Sequence, residues 1–348
     1  MKKVKALALF SGGLDSILAA RLVADQGVEV VALQFVTPFF HYDLLADVAR
    51  HKKRVQKKYG LTVEVIDISA RYLRLLRNPA HGFGKNFNPC IDCKILMFKC
   101  ARELLAKWNA SFLISGEVLG QRPMSQRRDT LNVIERESET RSLVLRPLSA
   151  LHMPLTKAEE RGWVDRSRLL KICGRGRAQQ MTMAKQFNIQ DYPAPAGGCI
   201  LADPILSKRV RMLYAKESLL PIAEVGVTDV CSILVGRQLR LPEGGWLVLG
   251  RDERENEKLA QLVQPEDTVL RMEDWPGPTA VLKKTDSYCS AQQLEKDLAL
   301  AASLVVRFGR KSPGQERPRT VSIWSSEGKK TVQASALADE VFHPWIIQ

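Results

Sequence analysis

Two groups of residues have types and spacings that point to chemistry. The first is Ser11, Gly12, Gly13, Asp15 and Ser16 in the stretch LALFSGGLDSILAARL, and the second is Cys90, Cys93 and Cys199. Two glycines directly after an apolar run let backbone N–H groups approach a ligand closely. The start of the helix that follows adds a partial positive charge, and the combination suits a bound phosphate. Asp15 adds a carboxylate able to position Mg²⁺ or the loop itself. No lysine follows the glycines, as the Gly-Lys-Ser/Thr phosphate loop requires, and the G-x-G-x-x-G fingerprint is absent.

Cys90 and Cys93 form a C-x-x-C pair in NPCIDCK, at the start of an expected helix, where the helix N-terminus favours thiolates. Cys199 stands in the glycine turn PAGGCIL, which presents a side chain without hindrance. Three such cysteines suit a [4Fe–4S] cluster with one open iron, Zn²⁺ with one further ligand, or a persulfide resolved as a disulfide. The chain has 7 cysteines, an odd count that argues against a disulfide framework. Cys100 on the same helix, Cys173 in an expected helix, Cys231 in an expected strand and Cys289 at a domain edge read as packing residues.

The elements that must position these groups alternate. Strands are expected over 4–10, 28–36, 61–68, 111–117 and 143–148, with helices over 15–24, 43–60 and 92–107. Gly60 closes the second helix. Strands separated by helical patterns predict an α/β fold with a doubly wound parallel sheet, and ligands at the carboxyl ends of its strands. Ser11 to Ser16 lies at one such end and Gly116 at another. The stretch 156–192 reads as helical and basic, with Thr156 and Asp165 as caps. A turn-rich segment over 192–204 then leads to a second unit near 207. The expected domains are 1–204, carrying the loop and the cysteines, and 205–348, a smaller α+β domain with a helix over 290–309 and closing strands TVSIW and KTVQA.

The chain has 348 residues and a net charge of +14, from 52 basic and 38 acidic residues. The basic clusters at 50–58, 122–128, 166–177 and 307–319 are scattered, which suits a broad face for a polyanion such as nucleic acid. No apolar run reaches the roughly 18 residues of a membrane span. The short apolar start leads into glycines and a carboxylate, so a cytoplasmic location is expected.

Ser11, Gly12, Gly13, Asp15 and Ser16 match S-G-G-x-D-S, and the chain here resembles the ATP pyrophosphatase family. The resemblance implies ATP cleavage between the α- and β-phosphates, with adenylation of a substrate oxygen. From Cys90 onward, CIDCKILMFKCARELLAKWNASFLISGEVLGQRPMSQ resembles the catalytic core of ThiI, the tRNA 4-thiouridine synthases, through Ser115, Gly116, Glu117, Leu119, Gly120, Gln121, Ser125 and Gln126. The C-x-x-C pair and later cysteine also resemble cluster-dependent tRNA thiolases.

These resemblances cover roughly residues 4–204. They imply a tRNA sulfurtransferase using ATP and Mg²⁺, with Phe35, Gly116 and Gln121 near the nucleotide and Cys90, Cys93 and Cys199 holding a [4Fe–4S] cluster or, failing that, Zn²⁺. Sulfide or a sulfur-donating protein is the implied second partner, and a homodimer is compatible. The family's THUMP region and the rhodanese domain of some members are not expected here, which leaves uridine 8 and the wobble uridine both open as targets. Arg122, Arg127 and Arg128 are candidate contacts to tRNA phosphates. An amidating or ligating ATP pyrophosphatase and an inactive RNA-binding adaptor are the competing readings; three cysteines argue against the first and the intact SGGLDS against the second. The second unit resembles the NFACT-R type of RNA-binding domain through Gly236, Arg237, Arg240, Gly250, Arg251 and Asn256.

Overall fold

The computed structural model describes residues 4–194, 199–214, 219, 225–310 and 317–347. Two units emerge, over 1–202 and 203–348. The expected glycine turn before Cys199 and most of the proline-rich stretch after 310 lie outside the described residues.

The first unit is built on five strands: β1 (Lys5–Leu9), β2 (Glu29–Val36), β3 (Thr62–Asp67), β4 (Phe112–Ser115) and β5 (Val144–Leu145). All pairs are parallel, in the order β3-β2-β1-β4-β5. Side chains alternate along a strand, so each face of a buried parallel strand must find its own apolar cover. In β1, Ala6 and Ala8 pack into the layer of α1 (Leu14–Ala24) and α2 (Val48–Tyr59), while Leu7 packs into the opposite layer. That second layer includes α4 (Cys90–Lys107) and α5 (Arg128–Glu137), and α3 (Ser69–Arg77) packs against α4. The strand order reverses at β1, so a crevice opens between the carboxyl ends of β1 and β4.

Three expectations need correction. The stretch 156–192 keeps its expected caps at Thr156 and Asp165 but is less helical than expected. It is α6 (Lys157–Glu160), a 3₁₀ turn at Arg166–Arg168 and α7 (Ala178–Gln186). Gly162 and Gly174, at φ of 64° and 81°, break it where left-handed backbone is needed. Cys173 is accordingly exposed on an isolated bridge to Leu119 rather than in a helix. The helix expected over 43–60 begins as a 3₁₀ turn at Tyr42–Asp47, and the Asp47 carboxylate accepts from the Arg50 N–H at 2.9 Å to start α2.

The second unit contains α8 (Pro204–Met212), α9 (Val227–Ile233), α10 (Glu253–Leu262), α11 (Ala291–Arg307) and α12 (Asp339–Phe342). Its strands are β6 (Arg237–Arg240), β7 (Trp246–Leu249), β8 (Thr268–Met272), β9 (Ala280–Lys283), β10 (Arg319–Ser325) and β11 (Gly328–Ala334). They form an antiparallel sheet in the order β11-β10-β8-β9-β7-β6, whose apolar face packs with α11. Cys231 lies in α9, not in a strand. The Asp229 carboxylate accepts from the Gly226 N–H at 2.9 Å, and this cap overrides the β-branched composition of VTDVCSI. Cys289 is exposed, while Cys100 is buried as its apolar neighbours predict.

Candidate active site

Ser11, Gly12 and Gly13 leave the end of β1 and lead into α1, whose first turn carries Asp15. Gly12 takes a left-handed φ of 75°, and Gly13 is the residue before the helix. Ser16 turns its hydroxyl back to the Gly13 carbonyl at 2.7 Å. The strand-to-helix turn is thus held open by its own residues.

Gly116 follows β4 across the crevice. A Cβ there would stand 2.6 Å from the Ser16 nitrogen and 2.7 Å from the Asp15 carbonyl oxygen. Only glycine lets the two turns approach so closely. Gln121 then donates from Nε2 to Asp15 Oδ2 at 3.1 Å. The other carboxylate oxygen, Asp15 Oδ1, is buried and has no partner among the described residues. An orphaned buried acceptor beside a loop of backbone donors suits a Mg²⁺ ion or a donor on a ligand.

Behind the loop lies a polar relay that the spacing alone did not reveal. Arg54 Nη2 stands 2.9 Å from His51 Nδ1, and His51 Nε2 stands 2.7 Å from Gln34 Oε1. An arginine can only donate, so Nδ1 accepts and the imidazole is neutral with its proton on Nε2. Burial first, then the charges of Arg54 and His41, push His51 below the ordinary histidine range. Gln34 Nε2 faces Gly12. Phe35, expected near the nucleotide, instead turns the opposite way into the apolar layer that contains Leu33, Ile95 and Phe98. The lone glutamine in the apolar run VVALQFV was the signal for Gln34.

The three cysteines converge. Cys90 and Cys93 open α4, and Cys199 is brought to them by backbone stitching: Phe87 N–H donates to the Leu201 carbonyl at 3.1 Å, and Asn86 Nδ2 to the Ala202 carbonyl at 2.7 Å. The thiols feel one another. Burial pushes the Cys93 thiol up to about 12, and Cys199 and Cys90 add to the rise. Burial also raises Cys199, with Cys90 adding to it, while the Leu201 N–H and the charge of Arg122 oppose it. The expected lowering by the helix N-terminus is therefore reversed for Cys93: desolvation of this half-buried thiol outweighs the dipole. The buried Tyr72 hydroxyl sits at Cys93 and has no oxygen or nitrogen partner.

By donor chemistry the trio fits a thiolate-held metal or iron–sulfur centre. In the structure they stand as free thiols, and among the described residues no three His, Cys, Asp and Glu side chains are drawn into a metal-binding geometry.

Next to Cys93, Lys94 pairs with the Glu117 carboxylate, which also accepts from Arg146 Nε at 3.0 Å; Arg146 pairs in turn with Glu135. Burial alone would raise Glu117, but Lys94 and Arg146 outweigh it and hold the carboxyl below its usual range. The short segment 116–122 therefore touches the phosphate loop and acts on the cysteines through charge. Gly116 and Gln121 meet Asp15, Glu117 meets Lys94 beside Cys93, and the charge of Arg122 reaches Cys199. Arg122, Arg127 and Arg128 are all exposed near this segment, with Arg128 donating to the His152 carbonyl at 3.0 Å.

A parallel sheet with a glycine loop at its strand reversal defines the first unit as a doubly wound α/β fold. Residues 2–157 match the family described as thiamine biosynthesis protein (ThiI), and residues 236–346 match the NFACT protein RNA binding domain. Each unit thus carries a segment similar to the family that its motifs resemble, ThiI in the first and NFACT in the second. It is similar to a probable tRNA sulfurtransferase of Thermococcus kodakarensis, 28% identical over 42% of this chain and 37% of the relative. It is also similar to a tRNA sulfurtransferase of Marinobacter nauticus, 27% identical over 60% of this chain and 42% of the relative. The chain therefore spans about two fifths of the length of these relatives. A solved U34-tRNA thiolase, NcsA of Methanococcus maripaludis with its [4Fe–4S] cluster, aligns at a TM-score of 0.33 and 16% identity over 67% of this chain and 81% of that one. Among the described residues no helix is long and apolar enough to cross a membrane.

Proposed function

We propose that this chain is an ATP-dependent tRNA sulfurtransferase. The observation that carries the reading is the segment 116–122, which meets the phosphate loop at Asp15, pairs through Glu117 with Lys94 next to Cys93, and carries Arg122, whose charge acts on Cys199. A reaction that activates an oxygen and then replaces it with sulfur needs those two centres in one crevice. The backbone donors of Gly12 and Gly13 and the α1 terminus receive the phosphates, and Asp15, held by Gln121, orients Mg²⁺ with its free oxygen. The uridine carbonyl oxygen attacks the α-phosphorus, the bond to the bridging oxygen breaks, and pyrophosphate leaves. Sulfur then bonds to the activated carbon, and AMP departs with the original oxygen. Lys94, beside Cys93 and braced by Glu117, places a positive charge where negative sulfur enters.

A [4Fe–4S] cluster held by Cys90, Cys93 and Cys199 would supply an iron able to carry hydrosulfide. The sulfur comes from sulfide or a donor protein, the product is 4-thiouridine at position 8 ahead of 2-thiouridine at the wobble position, and the work is done in the cytoplasm. The second unit binds the tRNA. The test is anaerobic purification with an iron count, followed by mass spectrometry of nucleosides from treated tRNA. Expected are bound iron and a thiouridine in wild type, and loss of both in Cys199→Ala with ATP binding kept. Full thiolation by Cys199→Ala removes that cysteine from the mechanism. AMP and pyrophosphate released without any thionucleoside would point to an amidating or ligating enzyme.

A further inference from the structure

In the second unit, three arginines from three elements converge on one place. Arg209 of α8 donates from Nη1 to the Gly236 carbonyl at 3.3 Å, and Arg237 at the start of β6 donates to the Gly250 carbonyl at 3.4 Å. Arg251 follows Gly250, and the Glu255 carboxylate of α10 accepts from its Nε at 2.9 and 3.0 Å. The same carboxylate accepts from the backbone N–H groups of Arg251 and Gly236, so it ties the two Gly-Arg turns together.

Both glycines are required for that closeness. A Cβ on Gly236 would stand 2.3 Å from the Leu249 carbonyl oxygen, and one on Gly250 would stand 2.1 Å from Asn256 Oδ1. Arg237 is further fixed by the Phe308 ring, whose centroid lies 4.6 Å from its Cζ.

The charges do not balance. Glu255 is committed to Arg251, and neither Arg209 nor Arg237 has an ion pair among the described residues. Arg209 Nε is buried and donates to nothing among the described residues. Burial and the charge of Arg251 both oppose the charged forms of Arg209 and Arg237. Proteins hold like charges together in partly buried places when an opposite charge arrives to join them. Planar guanidinium forks match phosphate oxygens two at a time. Arg237 and Arg251 lie within the 236–346 family match and Arg209 outside it, so the match covers two of the three arginines and leaves the third to the fold around them.

We propose that Arg209, Arg237 and Arg251 form a binding site for a phosphodiester of RNA, with Glu255 as the brace that sets the spacing of the three guanidiniums. The inference deepens the RNA-binding part of the proposed function and rests on that part alone; the sulfur-transfer part can fail without touching it.

The test measures binding of a tRNA transcript to the full chain over a range of KCl concentrations, with neither ATP nor a sulfur source present. Arg209→Gln and Arg237→Gln should each weaken binding about 10-fold and reduce the slope of log affinity against log salt by about 0.7 to 0.9. Arg271→Gln, the same charge change at an exposed position on β8, should leave the slope near wild type. If the glutamine variants melt early, Arg209→Lys and Arg237→Lys replace them: they keep the charge and the slope but lose affinity several-fold, because the fork is gone. A second arm adds inorganic phosphate to the chain and follows its melting temperature. Unchanged tRNA affinity and slope in the arginine variants overturns the proposal. Stabilisation by inorganic phosphate that Arg209→Gln abolishes, with tRNA binding unaltered, also overturns it and assigns the site to a small phosphate instead.

Discussion

Gln121 Nε2 donates to Asp15 Oδ2 at 3.1 Å while Asp15 Oδ1 stays buried and unpaired, so one carboxylate is half fixed and half available. The fixed half aims the free half into the crevice between β1 and β4. Asp15→Asn keeps the size and the contact to Gln121 but replaces the anionic acceptor. Release of AMP and pyrophosphate should fall by about 100-fold or more, the range seen when one charge-stabilising group is lost from an active site. The melting temperature and tRNA binding should stay within error of wild type. Retention of full pyrophosphate release would exclude Asp15 from the reaction.

Gly116→Ala should damage the site through the backbone. The new methyl would meet the Asp15 carbonyl and the Ser16 nitrogen, neither of which can rotate away. Relief requires the loop and β4 to separate, at a stability cost of about 1–3 kcal/mol. Loss of the close approach should weaken ATP binding about 10-fold by calorimetry. Gly176→Ala is the matched control, because a Cβ there meets nothing within 4 Å. Equal ATP affinity in both variants would show that the approach of Gly116 to the loop is dispensable.

The parts of this site that were legible in the sequence are those written in local spacing. SGGLDS follows an apolar strand and opens a helix, and Cys90 and Cys93 start a helix of their own. What brings Cys199 to them was not legible, because it depends on a bond from the Asn86 side-chain amide to the Ala202 carbonyl and one from the Phe87 N–H to the Leu201 carbonyl. Phe35 and Gln34 were exchanged for a related reason: strand alternation decides which neighbour faces the loop, and the strand's register is set by β1 and β3. The thiol acidity expected at the start of α4 failed at Cys93 because desolvation is a tertiary property, invisible in C-x-x-C. Composition likewise favoured a strand around Cys231, and a single carboxylate cap decided for a helix.

The Glu117 network should make the first unit acid-sensitive. The folded carboxyl is held below its usual range, so the unfolded chain takes up its proton first as the pH falls. The stabilisation is complete above the unfolded value of about 4.3 and is lost as the pH drops through the folded one. Glu117→Gln should therefore flatten the loss of stability below about pH 5 in urea titrations followed by circular dichroism. At neutral pH the same variant should cost about 3–5 kcal/mol, because the buried Arg146 and the half-buried Lys94 are left with one anionic partner fewer. An unchanged acid limb in Glu117→Gln would place the acid-sensitive group elsewhere.

His51 gives the loop a second pH dependence of the same sign. Its folded value lies below the ordinary 6.5 because burial and the neighbouring cations oppose the charged ring. The unfolded chain therefore binds the proton more readily, and the contribution of His51 is complete above about pH 6.5 and lost as the pH falls below it. Protonation of Nδ1 also removes the acceptor for Arg54 and sets two cations together, which loosens Gln34 behind Gly12. ATP affinity should drop between pH 7 and pH 5.5 in wild type. His51→Gln supplies both an amide donor for Gln34 and a carbonyl acceptor for Arg54 without a titrating ring. That variant should bind ATP near wild-type strength at pH 7 and lose less of it at pH 5.5, as read by calorimetry at both values. A drop in His51→Gln as steep as in wild type would show that the relay does not govern the loop.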